Sequence, residues 1–382
     1  MINQTEQTLY RLANLNAEQT RVTYQTSTGK ILDKGSDDAN LYSREILIDD
    51  KIRTYKGIKY QIERTTVQND ASDSAISEIK KIYEVIKTEL IKANTDTTSD
   101  EGKKAIALNI EGMKDNILTL ANTQIEDEYL FAGSDSSVKP FSEDTNGDIS
   151  YNGDNSARKI AVDDGTYRDR GVNGYEIMTY PASTATMGES LNFKASDIII
   201  DEDGSLWKLN ATNTAIEKYD KEDNLITPLE TKSIDSDDGL TPATYQIDNI
   251  SSDSGTKFEA RTSIFDLIDD MVNTLNKVDS DGTAITDEQR DALLGEQQSS
   301  FSDAYDSLNV THTNLGSINA MFESSLESVS SKLTQYNILS QEVGAADLTK
   351  LALESKSLEL TYTALYSTIQ KTNELSLANF LS

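Results

Sequence analysis

Apolar side chains recur at alternating steps of three and four residues in both terminal parts of the chain. The pattern covers Ile76 to Leu90 and Ile106 to Leu120 in the first part, and Ile264 to Val278 and Phe301 to Val343 in the last. Such spacing puts an apolar seam on one side of a helix, as coiled-coil packing requires. We therefore predict two helical arms that close on each other. Their rod seam is predicted to include Ile79, Ile86, Ile110, Ile117, Leu326 and Leu333.

The central part of the chain has the residue pattern of turns and short strands rather than of long helices. All four prolines lie between Pro140 and Pro242, and proline removes a backbone donor that a helix needs. Two short apolar runs, Ile198 to Ile200 and Leu206 to Leu209, flank an Asp-Gly turn and predict a β-hairpin. The predicted fold class is therefore mainly α with a β insert: a long antiparallel, coiled-coil-like helical bundle from both termini, plus a central β-rich domain.

Glycines and a slip in the apolar pattern suggest where the chain divides. The first helix is interrupted at Gly29 and Gly35, and Ser36-Asp37-Asp38 offers an N-cap for the next one. The seam slips by one residue at Gly344 to Asp347, which indicates a joint between two helical segments. We predict five parts: an N-terminal assembly helix (1–40), an N-terminal rod arm (41–139), a β-rich outward domain (140–255), a C-terminal rod arm (256–343) and a C-terminal assembly helix (344–382).

The two terminal helices have apolar stripes that lack enough partners within one chain. The first helix is polar and has few apolar residues. The last helix has a second apolar stripe, at Leu353 and Leu360, beside its main apolar stripe. We therefore expect both to pack against other chains. The predicted assembly interface consists of Ile2, Leu9, Leu12, Leu348, Leu351, Leu358, Leu365, Leu375, Leu377 and Phe380.

Composition narrows the possible functions. The 382 residues include 65 acidic and 35 basic side chains, giving a net charge of −30 that disfavours binding to nucleic acid or to an anionic membrane. No run reaches the roughly eighteen apolar residues of a membrane helix, and Met1 to Glu6 do not resemble a cleavable signal. Without cysteine, and with His312 as the single histidine, most thiol, zinc and triad chemistry is disfavoured.

Two acidic loops resemble the beginning of calcium sites. They start at Asp144 and Asp201, but the twelfth position, where an EF-hand has glutamate, is Asn155 in one and Thr212 in the other. Hairpin turns are the better interpretation. His312 lies on the predicted seam, where a polar residue more often fixes register than performs catalysis. We predict no catalytic residue, no metal site and no cofactor.

Several short motifs lie in both helical parts and before the β region. In the first arm they are Ser27-Thr28-Gly29-Lys30-Ile31 and Asp37-Asp38-Ala39. More selective are the segments that lead into the β region: Ala121 to Gln124, Tyr129 to Ser134, Pro140-Phe141 and Tyr151-Asn152-Gly153-Asp154. Near the end of the sequence they are Leu315-Gly316-Ser317, Asp347-Leu348 and Leu375 to Leu381. Together these motifs resemble the flagellin superfamily and, within it, the proteins of the hook-filament junction.

The resemblance implies a structural, non-enzymatic subunit that connects hook to filament and assembles through its terminal helices. It further implies an extracellular position on the bacterial flagellum after export through the flagellar channel. The implied partners are copies of itself, a neighbouring hook-associated protein, flagellin and an export chaperone. Two alternatives remain open: a filament flagellin, and a secreted adhesin or glycan-processing protein that uses the helical arms as a stalk.

Overall fold

The computed structural model describes residues 2–95, 97–145, 147–238, 243–251, 256–279 and 282–381, and within these leaves aside the side chains of residues 2–5 and 372–381. Long helices form both terminal parts, as the apolar periodicity predicts. In chain order the helices are α1 (Ile2–Thr28), α2 (Ala39–Ala93), α3 (Asp100–Ala121), α4 (Gly174–Met178), α5 (Ile264–Leu275), α6 (Asp287–Gly344) and α7 (Leu348–Leu381).

Short antiparallel strands occupy the middle of the chain. They are β1 (Gln124–Ile125), β2 (Glu128–Tyr129), β3 (Phe141–Glu143), β4 (Ile149–Tyr151), β5 (Arg158–Asp163), β6 (Thr166–Arg170), β7 (Thr179–Ala185), β8 (Leu191–Lys194), β9 (Ile198–Asp201), β10 (Leu206–Leu209), β11 (Ala215–Tyr219), β12 (Thr231–Ser233), β13 (Ser236–Asp237), β14 (Thr244–Ile247) and β15 (Phe258–Ser263). The predicted class, mainly α with a central β-rich region, is confirmed. The strands extend beyond 140–255 on both sides, and the five-part division stays a prediction.

The strands form two larger sheets and three separate hairpins. The six-stranded sheet has the order β12-β11-β10-β9-β15-β7, and the three-stranded sheet has the order β13-β14-β8. The hairpins are β1-β2, β3-β4 and β5-β6. Within the larger sheet, Leu206 pairs with Ile200 and Trp207 with Ile199, so the predicted hairpin is confirmed.

By its internal contacts the chain divides into two compact units, Met1–Lys59 with Glu327–Ser382, and Tyr60–Leu326. In the first unit, Asp38 and Asp347 act as N-caps. The carboxylate of Asp38 accepts hydrogen bonds from the backbone N–H groups of residues 40 and 41, and that of Asp347 from residues 349 and 350, at 3.0 to 3.1 Å. These bonds satisfy donors that the first turn of a helix leaves free. Helix α6 ends at Gly344 and α7 begins at Leu348, which is where the apolar pattern slips.

The second unit has two hydrophobic cores. The helical core joins α2, α3, α5 and α6, and its aromatic contact between Tyr83 and Phe301 has ring centroids 5.1 Å apart. The β core lies between the two larger sheets, where Trp207 packs edge-on against Phe258 and Phe193 lies beside Tyr245. The indole N–H of Trp207 donates to Asp201 at 2.9 Å, so this buried polar group is satisfied.

Candidate assembly surface and the Tyr151 hub

Helices α1 and α7 pack on each other through a small apolar cluster. Val22 is 2% exposed, Leu351 4% and Leu358 7%, with Leu15 and Ala346 packed against them. Polar contacts flank the cluster: Arg21 pairs with Glu354 at 3.1 Å, and the Tyr362 hydroxyl donates to Asn16 at 2.6 Å. Helices α1 and α7 are therefore partners of each other within the chain. The expectation that their apolar stripes lack a partner within one chain is wrong for Val22, Leu351 and Leu358.

The segments that follow α1 and α6 are also joined to each other. The backbone N–H of Ile31 donates to the carbonyl of Gly344 at 2.9 Å, and that of Ala346 donates to Gly29 at 2.8 Å. Lys30 pairs with Glu45 at 3.7 Å on the same side. Gly29 has φ of +70°, a left-handed conformation that glycine adopts without steric cost. The Ser-Thr-Gly-Lys-Ile motif thus forms the bend at which the helix pair is fastened.

The residues predicted for the assembly interface occupy different environments. Leu351 and Leu358 are buried against α1, and Leu12 and Leu365 are half-buried. Leu9 and Leu348 are exposed. The side chains of Ile2, Leu375, Leu377 and Phe380 lie outside the described residues. The assignment of these residues to contacts between chains stays a prediction. Leu9 and Leu348 fit it better than Leu351 and Leu358, because only exposed side chains are available to another chain.

A second apolar face of α7 points away from α1. Leu353 is 69% exposed and Leu360 68% exposed, and each follows a buried leucine by two positions. Two residues turn a helix by about 200°, so these leucines lie on the side opposite Leu351 and Leu358. Tyr10 on α1 and Tyr366 on α7 add exposed aromatic surface. The α1–α7 pair therefore carries several exposed apolar side chains, and we take it as the candidate assembly surface.

The rod seam residues lie in the helical core for the most part. Ile79, Ile86, Ile110 and Ile117 are fully buried there, whereas Leu326 and Leu333 are half-buried. The core also contains two lysines whose ammonium groups are paired, which the apolar pattern does not reveal. Lys114 contacts Asp269 at 2.6 Å, and Lys103 contacts Asp291 at 3.2 Å. Pairing is what makes a buried ammonium group tolerable.

The motifs that lead into the β region meet in space. The amide nitrogen of Asn122 donates to the carbonyl of Phe141 at 3.1 Å, while its amide oxygen accepts from the Phe141 backbone N–H at 3.0 Å. One side chain therefore satisfies both backbone groups of a residue nineteen positions away. This contact fixes the start of β3 against the end of α3, because both hydrogen bonds require one orientation of the Asn122 amide.

Tyr151 is the centre of a second set of contacts, which we call the Tyr151 hub. Its hydroxyl lies 2.9 Å from the carbonyl of Phe131 and 3.0 Å from that of Asp154, and it accepts from the backbone N–H of Gly174 at 3.2 Å. Its ring packs on Tyr175 with centroids 4.5 Å apart. Burial raises the pKa of the Tyr151 phenol, so the hydroxyl keeps its proton and donates.

Glycines make the hub possible. A Cβ on Gly133 would overlap the carboxylate of Asp154, one on Gly153 would overlap the carbonyl of Ala132, and one on Gly174 would overlap the Tyr151 ring. Because Gly133 has no Cβ, the Asp154 carboxylate can approach and accept hydrogen bonds from the backbone N–H groups of residues 134 and 156, both at 2.9 Å. The Tyr-Asn-Gly-Asp motif therefore supplies a ring, a tight turn and an acceptor to one structural joint.

Three arginines surround the carboxylate of Glu128 on β2. Glu128 contacts Arg158 at 3.1 Å, Arg170 at 3.3 Å and Arg64 at 3.3 Å, and it accepts from Gln68 at 2.8 Å. Burial opposes its ionisation, but the hydrogen bonds from Gln68, Arg158 and Arg170 outweigh that effect and hold the pKa at about 2. The β1-β2 and β5-β6 hairpins are thus tied to α2 by a permanent negative charge.

The two acidic loops use their carboxylates within their own turns. Asp144 accepts from the backbone N–H of Asp148 at 3.0 Å, and Asp201 from that of Ser205 at 3.0 Å. Within the described part of the chain, no three histidine, cysteine, aspartate or glutamate side chains come together as metal ligands would. Among the same residues, no helix is both long enough and apolar enough to span a membrane.

Comparison with known proteins agrees with the motifs. Residues 2–136 match the family described as the bacterial flagellin N-terminal helical region. The flagellar hook-associated protein 3 of Salmonella typhimurium is 26% identical over 183 residues, 47% of this chain and 56% of that protein. The Escherichia coli protein of the same name is 28% identical over 142 residues, 36% of this chain and 44% of that protein. The matched part therefore spans about half the length of these curated relatives.

Solved structures show the same fold. The flagellar hook-associated protein 3 of Legionella pneumophila superimposes with a TM-score of 0.52 at 16% identity, over 78% of this chain and 98% of that one. FlgL of Xanthomonas campestris gives 0.50 at 18% identity, over 77% and 99%. Residues 2–136 are thus similar to the N-terminal helical region of flagellins, and the fold of long terminal helices with a β insert is shared with these two solved structures. Both curated relatives carry the name flagellar hook-associated protein 3.

Proposed function

We propose that this chain is a non-enzymatic structural subunit that joins the hook of the bacterial flagellum to its filament. The similarity to two proteins named flagellar hook-associated protein 3 carries the proposal. The selective motifs support it, since Tyr129 to Gly133, Phe141 and Tyr151 to Asp154 are arranged as one joint. In this reading the partners are copies of the same chain, a neighbouring hook-associated protein, flagellin and an export chaperone. The protein reaches its extracellular position through the flagellar channel.

The proposed mechanism of assembly uses the two faces of α7 differently. Leu351 and Leu358 hold α7 on α1 within one chain, and Leu353 and Leu360 remain outside for a neighbouring subunit. A contact between two different surfaces repeats from one copy to the next, which is how helical tubes and rings are built. In this proposal Leu351 and Leu358, which were predicted for the interface, shape each subunit, whereas Leu353 and Leu360, which lie outside the predicted set, join subunits.

Two experiments test the proposal. Immunogold labelling of intact flagella should place the protein at the junction between hook and filament. Labelling along the whole filament would instead identify a filament flagellin, and absence from flagella would contradict both.

The second experiment replaces Leu353 and Leu360 together by serine. The double variant should unfold at the same urea concentration as the wild type, because both side chains are exposed. It should fail to restore motility to a strain lacking the protein. Leu229→Ser, at an exposed leucine of the β region, is the matched control and should restore motility fully. Normal motility of the double variant would contradict the assigned surface.

A further inference from the structure

The apolar contact between α2 and α6 is interrupted by two buried amide groups, one on each helix. Asn69 on α2 is 1% exposed, and its Nδ2 has no hydrogen-bond partner among the described residues. On α6 the Oδ1 of Asn319 is buried and also has no partner in that part of the chain. Leaving a buried donor or acceptor without a partner is costly. The two groups are complementary, because one donates and the other accepts.

The contacts of His312 show how the two helices are aligned. Its Nε2 is 2.9 Å from the carboxylate of Asp73, and its Nδ1 is 3.3 Å from the ammonium group of Lys80, so the ring lies between these two residues of α2. Asn319 follows His312 by seven positions, and Asn69 precedes the middle of the 73–80 segment by about seven. Seven residues are close to two helical turns, so each amide lies on the face that its helix uses in this contact.

A contact on the other side of His312 gives the same alignment. Tyr305 precedes His312 by seven positions, and its hydroxyl donates to the carboxylate of Glu84 at 2.9 Å. Contacts that move forward along α2 therefore move backward along α6, as in an antiparallel pair of helices. Asn69 and Asn319 are the next residues in this series, in the direction away from Tyr305.

Apolar side chains and one glycine surround the two amides. Leu315 and Phe322, one turn on either side of Asn319, are buried. Gly171 lies against the other amide, since a Cβ on it would be 3.5 Å from the Oδ1 of Asn69. Gly171 also forms part of the wall of an open polar cleft, which gives water a route to the pair.

We propose that Asn69 and Asn319 bind one buried water molecule between α2 and α6. The water accepts a hydrogen bond from the Nδ2 of Asn69 and donates one to the Oδ1 of Asn319, so that both amide groups are satisfied. The site also fixes the register of the two helices. A shift of α6 by one heptad would place His312 or Leu326 opposite Asn69 and would separate the two amides.

A double-mutant cycle on the full chain tests the pairing. Asn69→Leu and Asn319→Leu keep the approximate shape of the side chain, and each alone leaves the other amide buried opposite an apolar group. Each single variant should raise the unfolding constant, measured by urea titration, by about 5- to 100-fold. The double variant should return to within about 5-fold of the wild type, because both polar groups are then removed. Losses that simply add in the double variant would overturn the pairing.

Asn314→Leu is the matched control, because Asn314 is exposed on the same helix. Alone it should change the unfolding constant by less than about 2-fold, and it should not repair the loss caused by Asn69→Leu. If Asn314→Leu rescues Asn69→Leu as well as Asn319→Leu does, the rescue is a general effect of added apolar surface and the pairing is wrong.

A crystal structure tests the water itself, independently of stability. The wild type should show one ordered water within about 3 Å of both the Nδ2 of Asn69 and the Oδ1 of Asn319, and the double leucine variant should show none there. A direct hydrogen bond between the two amides, or a contact without water in the wild type, would overturn the proposed site.

Discussion

Removal of a single hydroxyl from Tyr151 provides a sharp test of the hub. In Tyr151→Phe the ring and its packing on Phe141 and Tyr175 remain, with centroid separations of 5.1 and 4.5 Å in the native protein. The hydrogen bonds of the hydroxyl disappear. The variant therefore separates the polar function of the side chain from its packing.

The expected loss follows from the contacts of the hydroxyl. It has one hydrogen to share between two carbonyl acceptors, those of Phe131 and Asp154, and such a bond contributes about 1 kcal/mol. The buried N–H of Gly174 is also left without its acceptor, which costs about 1 to 2 kcal/mol more. We expect the free energy of unfolding to fall by about 2 to 3 kcal/mol.

Urea unfolding with two probes measures this loss. Circular dichroism follows the helices, and fluorescence of the single tryptophan, Trp207, follows the β core. Tyr167→Phe is the matched control, because that tyrosine is exposed on β6 and its substitution should change stability by less than about 0.5 kcal/mol. If Tyr151→Phe is no more destabilising than Tyr167→Phe, the hydroxyl does not hold the hub and the reasoning is refuted.

Three further predictions concern helices and charge. Leu358→Ala should lower the free energy of unfolding by about 2 to 3 kcal/mol, the lower part of the usual range because its cluster is small, as measured by urea titration. Gly112→Ala should raise it by about 0.5 to 1 kcal/mol in the same assay, because the added methyl meets no atom within 4 Å and alanine favours a helix interior. Asp266→Asn should raise it at pH 7.5 by up to about 3 kcal/mol, and urea titrations at several pH values should show this gain falling by about half at pH 5.

The sign of the last effect follows from the pKa of Asp266. Burial, with a further contribution from the carboxylates of Asp269 and Asp270, raises it from 3.8 to about 6. The folded wild type therefore loses stability as the pH rises from about 4 through 6, and a neutral amide avoids that loss. Leu360→Ala is the contrasting variant for the leucine prediction and should leave stability unchanged. Equal effects of Leu358→Ala and Leu360→Ala, a destabilising Gly112→Ala, or a gain from Asp266→Asn that is the same at pH 5 and pH 7.5 would contradict these assignments.

Sequence periodicity was sufficient to predict the arms but not the pairing of α1 with α7. Both lines of leucines on α7, that of Leu351 and that of Leu353, are compatible with a buried stripe. The choice between them depends on Val22, more than three hundred positions away, and periodicity describes one helix at a time. The order of the six-stranded sheet was unpredictable for the same reason, since β15 inserts between β9 and β7.

Prediction of the candidate site from the sequence was limited in a different way. The motifs around Tyr151 were noticed for their resemblance to a family, yet their roles depend on residues brought together by the fold. Gly174 lies 23 positions after Tyr151, and its N–H needs the hydroxyl only because β4 and α4 meet there. The paired lysines Lys103 and Lys114 were missed because their partners are 188 and 155 positions away. A polar residue in an apolar stripe indicates that it has a polar partner, but the sequence does not show which residue that partner is.

The helical arms and the Tyr151 hub differ in how much change of sequence they can accept. A seam position accepts several apolar residues of similar volume, so the arms can change sequence extensively while they keep their packing. The hub accepts very little change. Gly133 has φ of +87° and no room for a Cβ, and Tyr151 is required both as a ring and as a hydroxyl. We therefore expect apolar substitutions to be tolerated at seam positions and substitutions of Gly133 or Tyr151 to be costly.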